Sequence, residues 1–177
     1  MKIGIDISQL AYERTGVANV LGRLIEQLFE VDRENEYVLF FSSLRNKAQF
    51  ADFNFSRFPN VHIKQFKFPP SFLTLLWNKL HIVPIENFIG DIDIFITSDW
   101  AEPPAKKAKK MTILYDLIVY KYPQETAENI VATQKSKLRW VKKETSKVLC
   151  ISEATKRDAM EILGIEEKRL AVVYPGI

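Results

Sequence analysis

The chain has 177 residues, which suits one domain with a core large enough to fold alone. Hydrophobic residues make up 47% and charged residues 27%, an ordinary globular composition that excludes disordered and fibrous chains. The net charge of +3 is too small to argue for nucleic acid as a partner.

The first half of the chain alternates between strand and helix patterns. A buried-type strand at residues 3–7 leads into a polar loop at 8–16. A helix follows, because apolar side chains recur at helical spacing at Val17, Val20, Leu21, Leu24, Leu28 and Val31. Strands are then predicted at 37–41 and 61–66, with a short helix between them within 45–58, and a helical segment at 72–80.

The second half continues the alternation. Strands are predicted at 92–97, 111–115, 148–151 and 170–173, and a long helix at 126–145. A helix that begins after Ser152 ends at Gly164, and Pro175 with Gly176 breaks the last strand. We expect that a second domain would begin at this break.

Short, almost wholly apolar strands that alternate with helices indicate βαβ units around a parallel sheet covered on both faces. The predicted fold class is α/β, a Rossmann-like doubly wound parallel sheet of about seven strands, formed by a single domain over residues 1–177. Ligands of such sheets bind beyond the carboxyl ends of the strands. The loops of interest are therefore 8–16, 97–102, 116–124 and 152–155.

Classical cofactor and metal motifs are missing from the sequence. Gly16 at the mouth of a helix permits close approach of a phosphate or sugar, but a plain tight turn explains it about as well. No G-x-G-x-x-G or Walker loop occurs, which disfavours nicotinamide and flavin binding. Asp91 and Asp93 open a strand at the wrong edge for a metal site, and His62 and His81 have no ligand-spaced partners. We predict no metal and no cofactor.

Basic and aromatic clusters leave two alternatives each. The lysines at 106–110 and the helix residues Lys135, Lys137, Arg139, Lys142 and Lys143 could face an anionic membrane, although solvated faces are commoner. The aromatics Phe66, Phe68, Phe72, Trp77 and Phe88 could line an acceptor groove, although aromatics at helical spacing usually fill a core. A strand-like N-terminus and the lack of a long apolar run favour a cytoplasmic protein, peripheral to the inner membrane face at most.

Five motifs occur together in one order. They are residues 1–6 (MKIGID), 15–17 (TGV), 112–117 (TILYDL) with 122–125 (YPQE), 152–158 (SEATKRD) and 172–177 (VVYPGI). In this combination the chain resembles the N-terminal half of the "group 1" retaining glycosyltransferases of the GT-B type, and mannosyltransferases of surface polysaccharide assembly in particular.

The resemblance implies transfer of a sugar from a nucleoside diphosphate to a glycan or lipid-linked hydroxyl with retention and without an obligatory metal. The donor would be a GDP- or UDP-sugar, bound chiefly by a C-terminal domain that lies outside this chain, so this chain alone would be inactive. The resemblance assigns Tyr115 and Asp116 to the catalytic site and Gly16, Val17, Ser152, Glu153 and Thr155 to donor or acceptor binding.

Two departures from the family pattern matter. The family typically has His-Asp where this chain has Tyr115 and Asp116, and tyrosine cannot act as an imidazole. The Arg that usually follows the glycine loop is replaced by the run at 18–20 (ANV). The alternative hypothesis is a standalone, non-catalytic half that binds carbohydrate or docks on a partner chain. For Ser152, helix capping alone is an equal alternative to ligand contact.

Overall fold

A computed structural model of the chain describes residues 1–12, 15–45, 53–98 and 100–175. Seven strands lie in these ranges: β1 Lys2–Asp6, β2 Glu36–Ser42, β3 Val61–Phe66, β4 Ile94–Thr97, β5 Lys109–Leu114, β6 Lys147–Cys150 and β7 Leu170–Val172. They form one sheet in the order β3-β2-β1-β4-β5-β6-β7, and every neighbouring pair is parallel. The predicted α/β class with a parallel sheet of seven strands is confirmed.

Helices connect the strands and cover the sheet. The α-helices are α1 Gly16–Val31, α2 Pro70–Leu73, α3 Glu86–Ile89, α4 Ile118–Lys121, α5 Glu128–Glu144 and α6 Glu153–Glu161. Single 3₁₀ turns lie at Ser8–Ala11, Phe55–Arg57, Pro123–Glu125 and Glu167–Arg169, and a π-helix occupies Thr74–Lys79. The predicted helix within 45–58 is represented by the Phe55–Arg57 turn, whereas residues 46–52 and the predicted break at Gly176 lie outside the described residues.

The first helix forms where its predicted apolar stripe meets the sheet. Thr15 caps it, because the Thr15 side-chain oxygen accepts a hydrogen bond from the Ala18 amide at 3.2 Å. Such a cap stabilises a helix by about 1 kcal/mol. Leu21, Ile25 and Phe29 then bury themselves against the strands.

Successive side chains along the strands point to opposite faces of the sheet and so belong to two different core layers. On β2, Tyr37, Leu39 and Phe41 belong to the core layer under α1, whereas Val38 and Phe40 belong to the layer under α2 and α3. A third cluster joins α4, α5 and α6 to the end of the sheet that carries β6 and β7. Both faces of the sheet are therefore covered, as in a doubly wound fold.

The segment predicted as a helix at 72–80 widens into π-helical geometry after α2. Its wider turn lets two adjacent residues, Trp77 and Asn78, both lie fully buried. The turn that follows needs left-handed backbone at His81 and Val83, and the Trp77 Nε1 donates to the Val83 carbonyl at 3.0 Å. Tertiary burial of these side chains thus decides the local helix type.

Candidate functional site

The carboxyl ends of β1, β4, β5 and β6 lie side by side at one edge of the sheet, because the sheet is parallel. The edge contains a pocket of about 240 Å³ that we call the Tyr115 pocket. Its lining residues are Val17, Trp100, Ile113, Leu114, Tyr115, Asp116, Ile118, Val119, Thr126, Ile130, Gln134 and Lys137. The structure therefore brings three predicted site residues, Val17, Tyr115 and Asp116, into one pocket.

Tyr115 and Asp116 follow β5 but differ in environment. Tyr115 is buried, and its hydroxyl lies 3.1 Å from the Ser98 Oγ. Asp116 is exposed, and its Oδ1 accepts a hydrogen bond from the Ile118 amide at 3.0 Å. Asp116 therefore shapes the turn into α4 and keeps its charge at the solvent side of the pocket.

The residues at the start of α6 contact the backbone of the site rather than the pocket itself. The Ser152 Oγ accepts a hydrogen bond from the Thr155 amide at 3.1 Å and so caps the helix. The Thr155 hydroxyl donates to the Tyr115 carbonyl at 2.9 Å. Glu153 is exposed in the first helical turn. None of these three residues is among those that line the Tyr115 pocket, and ligand contact at Ser152 stays a prediction.

Gly16 is the first residue of α1 and is exposed beside Val17. Its φ does not lie in the left-handed region, so the turn itself does not require glycine. A Cβ built at Gly16 would meet no heavy atom within 4 Å, and the first turn of α1 carries no acidic side chain. Thr15 caps the Ala18 amide, and the N-terminus of α1 still presents an exposed, electropositive helix end at this edge.

Two buried ionisable residues at this edge, Asp6 and Lys137, were not predicted as part of the site from the sequence. Lys137, 2% exposed, donates from its Nζ to the Ser98 carbonyl, and its charge also acts on Asp6, which is 7% exposed at the end of β1. Burial raises the pKa of Asp6, against the opposing effect of the Ser8 amide, which donates to its Oδ1 at 2.9 Å, and of the Lys137 charge. The available signal was Asp6 itself, a carboxylate within an apolar strand pattern.

A second buried network fixes the loop after β4. The fully buried Glu102 accepts hydrogen bonds from the Thr97 and Thr112 hydroxyls at 2.6 and 3.1 Å through its Oε2. Its Oε1 lies 3.0 Å from the Nζ of Lys110, which also contacts Glu144 at 3.0 Å. These groups lie under the sheet edge rather than in the pocket, and they hold the backbone of the loop in place.

The membrane hypothesis was wrong for two of the lysines considered. Lys110 and Lys137 are buried: the Lys110 ammonium group contacts Glu102 and Glu144, and the Lys137 ammonium group donates to the Ser98 carbonyl. The other basic residues of the two clusters are exposed: Lys106, Lys107, Lys109, Lys135, Arg139, Lys142 and Lys143. Of these, Lys106, Lys107 and Lys109 lie at the amino edge of the sheet, opposite the Tyr115 pocket.

Most of the aromatic residues that could have lined an acceptor groove belong to the core or pack against it. Phe66, Trp77 and Phe88 join Phe40 in a network of ring contacts with centroid separations of 5.1–6.1 Å. Phe68 stacks on Phe66 with centroids 5.8 Å apart, whereas Phe72 is 41% exposed. The larger part of this set therefore fills the core under α2 and α3.

The two aspartates that precede β4 lie away from the Tyr115 pocket. Asp91 and Asp93 lie at the amino edge, where the Asp93 Oδ2 accepts from the Lys2 amide at 2.7 Å. Among the described residues, no three His, Cys, Asp or Glu side chains gather in a way that could hold a metal ion. No helix within these ranges has the length and apolar character needed to cross a membrane.

A comparison with protein families complements this geometry. The family model described as Glycosyltransferase Family 4 matches residues 14–177. No curated protein matches the chain.

Proposed function

Because the chain belongs to glycosyltransferase family 4, we propose that it forms the acceptor-side domain of a retaining glycosyltransferase. A domain of this kind implies binding of a sugar donor and an acceptor in general. The observation that carries the proposal is the Tyr115 pocket, which opens at the carboxyl edge of the sheet within the matched residues.

We propose that the donor is a nucleotide sugar, such as GDP-mannose or a UDP-sugar, whose diphosphate faces Gly16. The exposed N-terminus of α1 supports this placement, since the helix dipole favours an anion there. The start of α6 is less suited to the same task, because Glu153 places a negative charge in its first turn.

We propose that a second, donor-binding domain completes the cleft in the complete protein. The family resemblance supports this division, since the donor-binding groups of such enzymes lie chiefly in that domain. Residues 1–177 alone should then bind acceptor but not transfer sugar, because stabilisation of the departing diphosphate is the largest expected electrostatic contribution.

Tyr115 takes the position where the family typically has a histidine. We propose that the Tyr115 side chain positions the transferred sugar through its hydroxyl, which the Ser98 Oγ orients at 3.1 Å. Asp116, exposed at the mouth of the same pocket, would carry the adjacent negative charge. Neither group needs a metal ion for these roles.

The acceptor is proposed to be a glycan or a lipid-linked sugar of surface polysaccharide synthesis, presented at the inner face of the membrane. Exposed apolar side chains at Phe72 and Leu75 support a peripheral contact. The neighbouring α5 adds exposed cations such as Arg139 and Lys143, and it packs on this segment where Trp140 stacks on His81.

A donor screen with the complete protein tests the proposal. The protein is incubated with GDP-mannose and UDP-sugars, with and without a glycan acceptor, and release of nucleoside diphosphate is measured. Tyr115→Phe should lower kcat by about tenfold, the effect of one hydrogen bond of about 1.4 kcal/mol made in the transition state. It should lower stability far less.

Tyr37→Phe is the matched control. The Tyr37 hydroxyl donates to the Asp32 Oδ2 at 2.6 Å, at the amino edge of the sheet and away from the Tyr115 pocket. Loss of this hydrogen bond should reduce stability and leave kcat unchanged. Equal kcat in wild type and Tyr115→Phe would remove Tyr115 from the site. Glycan binding by the complete protein without diphosphate release from any donor would favour the non-catalytic binding module instead.

A further inference from the structure

Trp100 stands where three cavities of the carboxyl edge meet. It lines the Tyr115 pocket, a small cavity of about 30 Å³ beside Asp6, and a groove of about 440 Å³ between the π-helix and α5. The Trp100 side chain is half-buried, in contrast to Trp77, which is fully buried. An indole shared by adjoining cavities is placed to contact a ligand that passes between them.

The backbone around Trp100 is held by buried polar groups. The fully buried Asn78 donates from its Nδ2 to the Trp100 carbonyl at 2.8 Å and accepts from the Glu102 amide at 2.9 Å. Ser98, two residues before Trp100, is held by the Lys137 Nζ at its carbonyl. These bonds hold the backbone carbonyls of Ser98 and Trp100, and the half-buried Trp100 ring is not among the buried core residues.

We call the larger cavity the Trp100 groove. It is lined by Pro70, Ser71, Thr74, Leu75, Lys79, Trp100, Asn129, Ala132, Thr133 and Ser136. The lining includes four hydroxyls and one side-chain amide, and Lys79 is the one charged side chain among these lining residues. The Ser136 hydroxyl donates to the Asn78 carbonyl at 2.8 Å. This is the chemistry that binds a neutral polyol: an aromatic face for C–H groups, with hydroxyl partners at the rim.

Volume also favours a ligand that extends beyond the Tyr115 pocket. At about 240 Å³ this pocket falls below the range of about 300–1,000 Å³ that is usual for small-molecule sites. The Trp100 groove, which shares Trp100 as a lining residue, supplies further space of about 440 Å³.

We propose that Trp100 stacks against a pyranose ring and so selects glycan acceptors, with the chain of the glycan lying in the Trp100 groove. The identification of this sugar as the acceptor rests on the proposed function; the stacking itself does not. Trp100 is thus a specificity-determining residue rather than a catalytic one.

Nuclear magnetic resonance of the ¹⁵N-labelled 177-residue chain tests the stacking directly. The chain has three tryptophans, so it gives three indole N–H signals, and Trp100→Phe assigns that of Trp100. The probes are the methyl pyranosides of mannose, glucose and galactose, with uridine monophosphate as the nucleotide alternative. We expect the Trp100 signal to shift saturably with at least one glycoside, with a dissociation constant of about 1–10 mM. The buried Trp77 signal should stay in place.

Variants separate stacking from general binding. Trp100→Ala should weaken glycoside binding at least about fivefold, whereas Trp100→Phe should retain part of it. Tyr122→Ala is the control, because Tyr122 is an aromatic residue accessible to solvent, 47% exposed, that lines none of the three cavities. Urea unfolding of each variant checks that the fold persists, and the wild-type titration stands if a variant fails to fold.

Three results would overturn the inference: no Trp100 shift with any of the three glycosides, a shift with the nucleotide alone, or unchanged glycoside binding in folded Trp100→Ala. The test is independent of catalysis. If Trp100 binds glycosides while the complete protein transfers no sugar, the proposed function fails and the stacking remains. If transfer occurs but Trp100 binds no glycoside, only the stacking fails.

Discussion

Replacement of Lys110 by methionine should destabilise the protein strongly, because it leaves the buried Glu102 carboxylate without its cation. The Lys110 ammonium group, on a side chain 3% exposed, lies 3.0 Å from the Oε1 of the fully buried Glu102. The same group contacts Glu144 at 3.0 Å and donates to the Pro103 carbonyl at 2.8 Å. Methionine keeps most of the apolar stem of the side chain but none of these polar contacts.

The expected cost follows from the burial of the pair. Removal of one partner of a buried ion pair costs about 3–5 kcal/mol, since the other charge stays desolvated and uncompensated. A domain has a total free energy of unfolding of about 5–15 kcal/mol. At a urea m-value of about 2 kcal/mol/M, the unfolding midpoint of Lys110→Met should fall by about 2 M.

Urea titration followed by circular dichroism measures this change. Lys109→Met is the matched control, because Lys109 precedes Lys110 on β5 but is exposed, and its free energy of unfolding should change by less than about 0.5 kcal/mol. Adding Glu102→Gln to Lys110→Met should recover part of the loss, since the amide carries no charge. If Lys110→Met costs less than about 1 kcal/mol, or no more than Lys109→Met, the reasoning about a buried pair is refuted.

Further predictions concern the core, a cap and two titrating groups. Gly4→Ala should lower the free energy of unfolding by about 1–3 kcal/mol, measured by urea titration, because a Cβ there would lie 2.8 Å from the Phe95 ring. Ser152→Ala should cost about 1 kcal/mol through loss of the α6 cap, and Ser152→Gly less. Burial acts to raise the pKa of Glu144, but the His81 and Lys110 bonds outweigh it and lower that pKa. The lowered pKa stabilises the folded state above the ordinary glutamate pKa of 4.5, and this stabilisation is lost as pH falls through the pKa of the folded state. Glu144→Gln should therefore make the free energy of unfolding less dependent on pH in this acidic range. Burial raises the pKa of Cys150 to about 11, so iodoacetamide at pH 8 should label it only in denaturant, and rapid labelling of the native chain would contradict this.

Local pattern was sufficient for the elements of the sheet. The strand predicted at 37–41 lies within β2, and the stripe that begins at Val17 lies on α1, because short-range periodicity reports which faces a segment buries. The parallel arrangement also predicted a site at the carboxyl edge of the sheet. The structure brings Val17, Tyr115 and Asp116 to one pocket there.

The sequence pattern did not predict which polar side chains pair with residues far away in the chain. Lys110 and Lys137 occur in runs of charge that are typical of solvated surfaces, yet both are buried. Their partners come from segments far away in the chain, Glu144 for Lys110 and Ser98 for Lys137. Only the order of the strands brings these segments together.

The sequence by itself determined the class of fold and the number of strands, because both depend on local periodicity and on the parallel connection of strand to helix. The carboxyl edge of the sheet as the place of ligand binding stays a prediction. The tertiary structure decided which polar side chains are buried and how the loop that carries Trp100 is held. The physical reason is that the desolvation cost of a charge depends on groups that lie near it in space, and those groups are brought there by folding rather than by spacing along the chain.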